Sequence, residues 1–346
     1  MKSKKFFAAA NSYEGFISYF DRVFDPRNFD RLYIIKGGPG TGKSSLMKRI
    51  TYAAKELNIE TEDIYCSSDP DSLDGIIIEN KKKRIGFLDG TAPHLQDTVF
   101  PGAVDAIINL GDNWSDKWLI AQKDKIIQLS EEKKSAYRRA YFYLSISGMC
   151  RNEISIVEKM NISKNNLNSI VKCLAEMINY DKGERCIRLI SSFGKNGKHT
   201  IYTPDNLADK IYSLKGSYET KKQIMKKLND MLLFDFARFT AFIDPLDKEL
   251  IEAIYLPQCD TLITASEGGN EFDVSSAEKP LNEAEILGLS KANAIHNESL
   301  LESQRWFNIA AQIHAELEYI YSSSMNFEGN ERILNEKTSE IMDMLS

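Results

Sequence analysis

Cysteine is scarce in this 346-residue chain and follows no pattern: Cys66, Cys150, Cys173, Cys186 and Cys259 are widely spread, odd in number and free of any C-x-x-C pair. That spacing speaks against a disulfide framework and against a zinc knuckle, and the thiols read as those of a reducing cytosol. No uninterrupted apolar run approaches the roughly 18 residues of a membrane span. The basic amino terminus precedes only a short apolar patch, residues 6–10, too brief for a signal-peptide core and better read as an early strand. A cytoplasmic protein with no membrane segment is expected. Positive charge is not in excess, since 44 Lys and Arg stand against 50 Asp and Glu for a formal net charge of −6. A broad grip on nucleic-acid phosphates is therefore not expected. The basic run KKKR at 81–84 lies between IIIEN and IGFLD and reads as a solvated turn joining two strands.

What is present begins with order. RLYIIKG, GKSSLMKRITYAAKEL, TEDIYCSSD and RIGFLDG read as strand and glycine loop, helix, strand, strand. Short apolar strands alternating with an amphipathic helix predict α/β architecture with parallel strands joined by crossovers. A helical region follows over about 115–180, with Leu119, Ile126, Leu129, Tyr137, Tyr141 and Leu144 recurring at helical spacing. The simplest arrangement is a helical hairpin laid on the α/β core.

The stretch GGPGTGKS at 37–44 fits G-x-x-x-x-G-K-[ST] at every constrained position, between an apolar strand and an amphipathic helix. Such a loop wraps phosphates with backbone N–H groups at a helix N-terminus. Gly37, Gly38, Pro39, Gly40, Thr41, Gly42, Lys43, Ser44 and Ser45 are the expected nucleotide-binding residues. Lys43 would reach the β- and γ-phosphates, and the Ser44 hydroxyl would ligate Mg²⁺. Asp89, closing the strand IGFLD, is the second expected metal residue. Asp69, with Asp71 beside it in SSDPDS, is a candidate for orienting a water, although Asp-Pro-Asp-Ser is also good turn chemistry. His94 is a candidate γ-phosphate sensor. Gly90 follows Asp89, so the Asp-Glu pair with which many P-loop ATPases activate water is missing. Arg138 and Arg139 sit on the helical region and read as solvated, leaving no arginine finger marked by motif.

The second half repeats this order. RCIRLISSF answers KKFFAAANS, KIYSLKG answers RLYIIKG, FTAFIDP answers DIYCSSDP, LIEAIYLP answers LDGIIIEN, and DTLITAS answers RIGFLDG. A tandem duplication explains blocks matched in one order. The boundary is expected near residue 183, giving units of 1–183 and 184–346, with a second helical region over about 282–346. Residues 266–280 read as a loop by composition. In the second copy, GSYETKKQ, the small residues of the wrap are replaced by Ser217, Tyr218 and Glu219, and Lys221 or Lys222 stands opposite Lys43. Thr264 reads as the counterpart of Asp89. This copy is expected to be a degenerate pseudo-site.

YEGF, RLYIIKGGPGTGKSSLMKRI, CSSDPDSLDG, FLDGTAPH, PGAVDAIINLGD and IHAELEYIYSSSMNFE together resemble a family of tandem P-loop ATPase-like proteins of spore-forming Gram-positive bacteria, within the P-loop NTPase superfamily. The resemblance implies ATP binding and two P-loop-type α/β/α domains, each with an added helical region. The expected activity is Mg²⁺-dependent hydrolysis of ATP, or of another NTP, at the first site. Alternatives are a kinase acting on a small molecule or nucleotide, and a nucleotide-gated module that meets a protein partner through its helical regions.

Overall fold

The computed structural model describes residues 4–92, 96–201 and 208–345. The first half runs β1 (Lys4–Phe7), β2 (Ala9–Ser12), β3 (Gly15–Ser18), α1 (Phe20–Val23), β4 (Arg31–Lys36), α2 (Lys43–Glu56), β5 (Glu60–Tyr65), β6 (Leu73–Glu79), β7 (Arg84–Asp89) and β8 (Asp105–Asn109). Its helical part is α3 (Asp116–Ala121), α4 (Lys123–Met160) and α5 (Lys164–Glu176). The second half runs β9 (Arg185–Arg188), β10 (Ser191–Gly194), β11 (Gly197–Thr200), β12 (Lys210–Lys215), α6 (Tyr218–Phe234), β13 (Phe239–Ile243), β14 (Ile251–Leu256), β15 (Thr261–Thr264) and β16 (Asn270–Asp273). It ends in α7 (Glu283–Ser322) and α8 (Phe327–Leu345). Among the described residues no helix is long and apolar enough to cross a membrane.

The duplication is visible in the topology. One six-stranded sheet has the order β1-β5-β6-β7-β4-β8 and the other, read from its far edge, β9-β13-β14-β15-β12-β16. Each element of one sheet has its counterpart at the same place in the other. Both sheets are mixed rather than parallel, because β6 and β14 run antiparallel to both of their neighbours. The cause is the length of the connections. A turn closed by Ser72 N–H on the Asp69 carbonyl joins β5 to β6, and one in which Asn80 Oδ1 accepts from the amides of Lys82 and Lys83 joins β6 to β7. Neither can return the chain parallel, which takes a crossover of a dozen residues or more. β16 lies inside the stretch expected as a loop. It is a polar edge strand on β12, and with no apolar alternation it left no strand signal.

The layering also departs from α/β/α. On the outer face of the first sheet, Tyr33, Ile35, Ile76, Ile78 and Phe87 pack against α2. The alternate residues Leu32, Ile34, Ile64, Ile77 and Leu88 share one apolar layer with Ile211, Phe242, Ala253 and Leu262 of the second sheet, where Phe6 stacks on Phe242 with centroids 5.9 Å apart. Strands apolar on both faces need two covers. Here the second cover is largely the other sheet, with α1 at its margin.

The helices are exchanged between halves. Instead of folding back on its own core, α5 places Leu167, Ile170 and Leu174 against α6 and the second sheet. In return α8 places Leu334, Ile341 and Leu345 against α2 and the first sheet. The long helices α4 and α7 pack along one another between these ends. The hairpins do likewise: Tyr13 N–H, at the β2–β3 turn, donates to the Leu246 carbonyl, and Lys195, at the β10–β11 turn, pairs with Asp69. Each half therefore places groups from its helices and hairpin at the strand–helix junction of the other.

Candidate functional site

At the first junction the chain leaves β4 at Lys36 and enters α2 at Lys43. Gly40 and Gly42 have φ of 69° and 94°, in the left-handed region, and a Cβ on Gly40 would come within 2.6 Å of the Glu318 carbonyl oxygen. The Thr41 hydroxyl donates to the Gly38 carbonyl at 2.8 Å. Lys43 Nζ donates to the carbonyls of Gly37 and Gly38, at 3.1 and 2.7 Å, and lies 3.5 Å from Asp89 Oδ2. Asp89 is brought there by pairing of β7 directly beside β4, with Asp89 level with Ile35. Its other oxygen accepts from Thr91 N–H and Oγ1–H. The Ser44 hydroxyl accepts from Leu73 N–H at 2.9 Å, so Ser44 faces the start of β6 while Asp89 faces Lys43. The backbone N–H groups of Gly40, Thr41, Gly42, Lys43, Ser44 and Ser45 meet no protein acceptor among the described residues. They form the positive end of α2.

The other half closes over this loop. A Cβ on Gly38 would lie 2.7 Å from the ring of Tyr321, and Asn330 Nδ2 donates to the Thr41 carbonyl at 2.8 Å. Lys195 Nζ sits 2.8 Å from Asp69 Oδ1. On α4 the half-buried Lys133 has no carboxylate partner among the described residues, and its Nζ is 3.2 Å from His314 Nδ1 on α7. One turn further along α7, Glu318 Oε1 is 3.7 Å from His314 Nε2. Burial lowers the Lys133 pKa. Burial, then the charges of Lys133 and Lys43, pushes His314 down to about 4, so its imidazole is neutral at pH 7. Burial, reinforced by Asp69, raises Glu318. Of the predicted site residues, the structure thus joins Lys43 to Asp89 and ties Asp69 to Lys195. Asp71 offers its backbone carbonyl to Lys48. His94 lies outside the described residues.

Lys133, Lys195, His314, Glu318 and Tyr321 were not singled out from sequence. The one signal was the block IHAELEYIYSSSMNFE, which contains three of them.

At the second junction the same strand and helix meet differently. β12 ends at Lys215 and α6 begins at Tyr218, so only Gly216 and Ser217 lie between, against residues 37–42 in the first copy. The wrap has been wound into the helix. Its amides are also taken: Ser217 N–H donates to Glu278 Oε1 at 2.6 Å and Glu219 N–H to Glu158 Oε2 at 2.9 Å, while Ser217 Oγ caps Thr220 N–H. Glu219 is buried and accepts from the Ser155 hydroxyl. Lys222 pairs with Asp247 at 2.8 Å, and Lys221 donates to the Ala265 carbonyl at 2.8 Å. The register corrects one assignment: Ile35 faces Asp89 whereas Ser213, the counterpart of Ile34, faces Thr264, so Ala265 is level with Asp89.

Comparison with family models, with curated proteins and with solved structures found no match.

Proposed function

We propose that the chain is a P-loop nucleoside triphosphatase with a single working site, residues 37–45, of the tandem kind that its motifs resemble. The observation that carries this reading is the contrast between unmatched amides at 40–45 and the carboxylate-filled amides of the second copy. Two left-handed glycines, a helix N-terminus, Lys43 and Asp89 fit a polyphosphate and its metal.

In this reading the amides of 40–45 and the Lys43 ammonium hold the β- and γ-phosphates, Lys43 exchanging the carbonyls of Gly37 and Gly38 for phosphate oxygens. Asp89, released from Lys43, and Ser44 would hold Mg²⁺, which when bound neutralises phosphate charge. Among the described residues no group of three or more His, Cys, Asp or Glu could hold a metal unaided, so the ion would arrive with the nucleotide, as Mg²⁺ commonly does. Water adds to the terminal phosphorus as the bridging P–O bond breaks, releasing the diphosphate, inorganic phosphate and a proton. The chain contributes position and a preorganised field. Lys195 holds Asp69 as a water-orienting group.

The test is turnover of Mg·ATP by purified protein. Lys43→Ala should lower kcat about 1,000-fold, the loss of a group that touches the transferred charge. Equal rates in parent and variant would remove the assignment. A second reading is favoured by the contacts of Tyr321, Glu318 and Asn330 with the loop: nucleotide binding that shifts the α7–α8 corner and is read by a partner. It predicts tight binding with negligible turnover until that partner is added.

A further inference from the structure

The duplication supplies an internal guide to what faces a phosphate in the first site. Beyond the sheets the two copies are related by a constant offset. The bridges Ile162–Glu278 and Met325–Trp114 place Met325 as the counterpart of Ile162, and the pairs Arg151–His296 and Lys133–His314 place His314 opposite Arg151 and His296 opposite Lys133, each 163 residues on. By the same offset Glu318 answers Ser155 and Tyr321 answers Glu158. Each of these four touches the junction of the other half.

At the second junction an anion already sits on the helix N-terminus. It is the Glu158 carboxylate, bound to Glu219 N–H at 2.9 Å. The cation facing it comes from the long helix pair. The Arg151 guanidinium lies 4.4 Å from the centroid of Tyr218, the first residue of α6, and its Nη2 is 2.7 Å from His296 Nε2. This filled junction copies in side chains the arrangement of anion, helix N-terminus and cation from the helix pair.

At the first junction the place of Glu158 is taken by Tyr321, which brings no charge. The cation is kept. It has moved to the partner position of the same pair, from Arg151 on one side to Lys133 on the other. Lys133 meets His314 at 3.2 Å, His314 meets Glu318 one turn on, and the Glu318 backbone borders Gly40. Three lysines, Lys43, Lys133 and Lys195, therefore surround the loop, and Lys133 alone among them lacks a carboxylate at ion-pair distance among the described residues. Lys133 is a half-buried ammonium whose nearest partner is a neutral imidazole; Glu318 attracts it and Lys43 repels it from beyond ion-pair distance, so its hydrogen-bonding capacity toward an added anion is not taken up by a carboxylate.

We propose that Lys133, oriented by His314, is the cation that meets the terminal phosphate of the nucleotide on residues 37–45. The helix pair thus supplies the charge that no arginine motif marked. This rests on the nucleotide reading above and adds to it the source of the finger. A charge placed there acts on the transition state more than on a bound diphosphate, which lacks the terminal group.

The experiment uses the full chain and measures Mg·ADP affinity and Mg·ATP turnover separately in the parent, Lys133→Met, Lys133→Arg and the exposed neighbour Lys134→Ala. Lys133→Met should lower kcat about 100-fold or more while Mg·ADP affinity stays within about 3-fold. Lys133→Arg should recover part of the rate, and Lys134→Ala should match the parent. If Lys133→Met turns over within about 3-fold of the parent while Lys43→Ala is inactive, the loop reading stands and Lys133 is not the finger. If Lys133→Met loses ADP and ATP binding alike, the residue supports the loop rather than the chemistry, and the proposal is overturned. A parent that binds no nucleotide removes the loop reading and this inference with it.

Discussion

The two strand–helix junctions of this chain sit at the same place in sheets of the same strand order and solve the same electrostatic problem in opposite ways. A helix that starts at the end of a buried strand leaves unmatched N–H groups and a positive end. The second copy answers with side chains from both halves: its own Ser217 caps α6 and its own Glu278 takes one amide, while Glu158 of the first half takes another. The first copy keeps residues 37–42 outside the helix, turned by Gly40 and Gly42, and leaves the amides of 40–45 without a protein acceptor among the described residues. Strand, helix and sheet order are common to both. The difference lies in the length of the wrap and in which side chains the other half delivers: Ser155 and Glu158 at one end of the helix pair, Glu318 and Tyr321 at the other.

That comparison can be broken at several levels. The largest effect is expected from the exchanged cover. Leu174 is fully buried against α6, although it belongs to the first half, and Leu174→Ala should cost about 3 kcal/mol in urea unfolding. A cost below about 0.5 kcal/mol would mean that α5 does not cover the second sheet in solution. Next, Gly40→Ala combines a left-handed backbone with a clash against Glu318, so ATP affinity should fall about 30-fold, equivalent to about 2 kcal/mol. Unchanged affinity in a fluorescent-nucleotide titration would show that the loop does not bind in this shape. Smaller still, Glu158→Gln weakens the charge on the α6 N-terminus and should cost about 1 kcal/mol without creating a second nucleotide site. A gain of second-site binding would show that carboxylate filling, not the short wrap, is what disables that copy.

The smallest effect concerns pH. His314 is held near 4 by burial and by Lys133, Lys43 and Lys195, against about 6.5 in an unfolded chain, with Asp69 acting the other way and Glu318 3.7 Å from its ring. Its contribution to stability is therefore complete above pH 6.5 and is lost as pH falls toward 4. About two-fifths of the side chain is still reached by solvent, so the effect is modest. His314→Gln should flatten that part of the acid limb in thermal melts. An unchanged slope between pH 6.5 and 4 would mean that the imidazole is not held neutral there.

Much of the fold was legible because local physics dictated it. The strands that pattern as apolar runs, the helix after the glycine loop and the duplicated order all appear where periodicity and glycine placed them. The capping box at Asn282 and Glu285 starts α7 at the expected point. What was not legible depends on distant partners. Periodicity shows that Leu167, Ile170 and Leu174 share a buried face, but not that the face belongs to the other half. Apolar runs on both faces of β4 and β7 call for two covers without saying that one is a second sheet. β16 is an exposed polar edge and gives no signal. The site was half legible for the same reason: Lys43 and Asp89 belong to a local motif, whereas Lys133, Lys195 and His314 arrive from helices and a hairpin remote in sequence.

The most direct measurement is the stoichiometry of Mg·ATP binding at equilibrium, by calorimetry, on the parent, Lys43→Ala and Lys222→Ala. One nucleotide per chain, lost in Lys43→Ala and retained in Lys222→Ala, is the expected result. Two nucleotides per chain, or loss of binding in Lys222→Ala with Lys43→Ala intact, would contradict it.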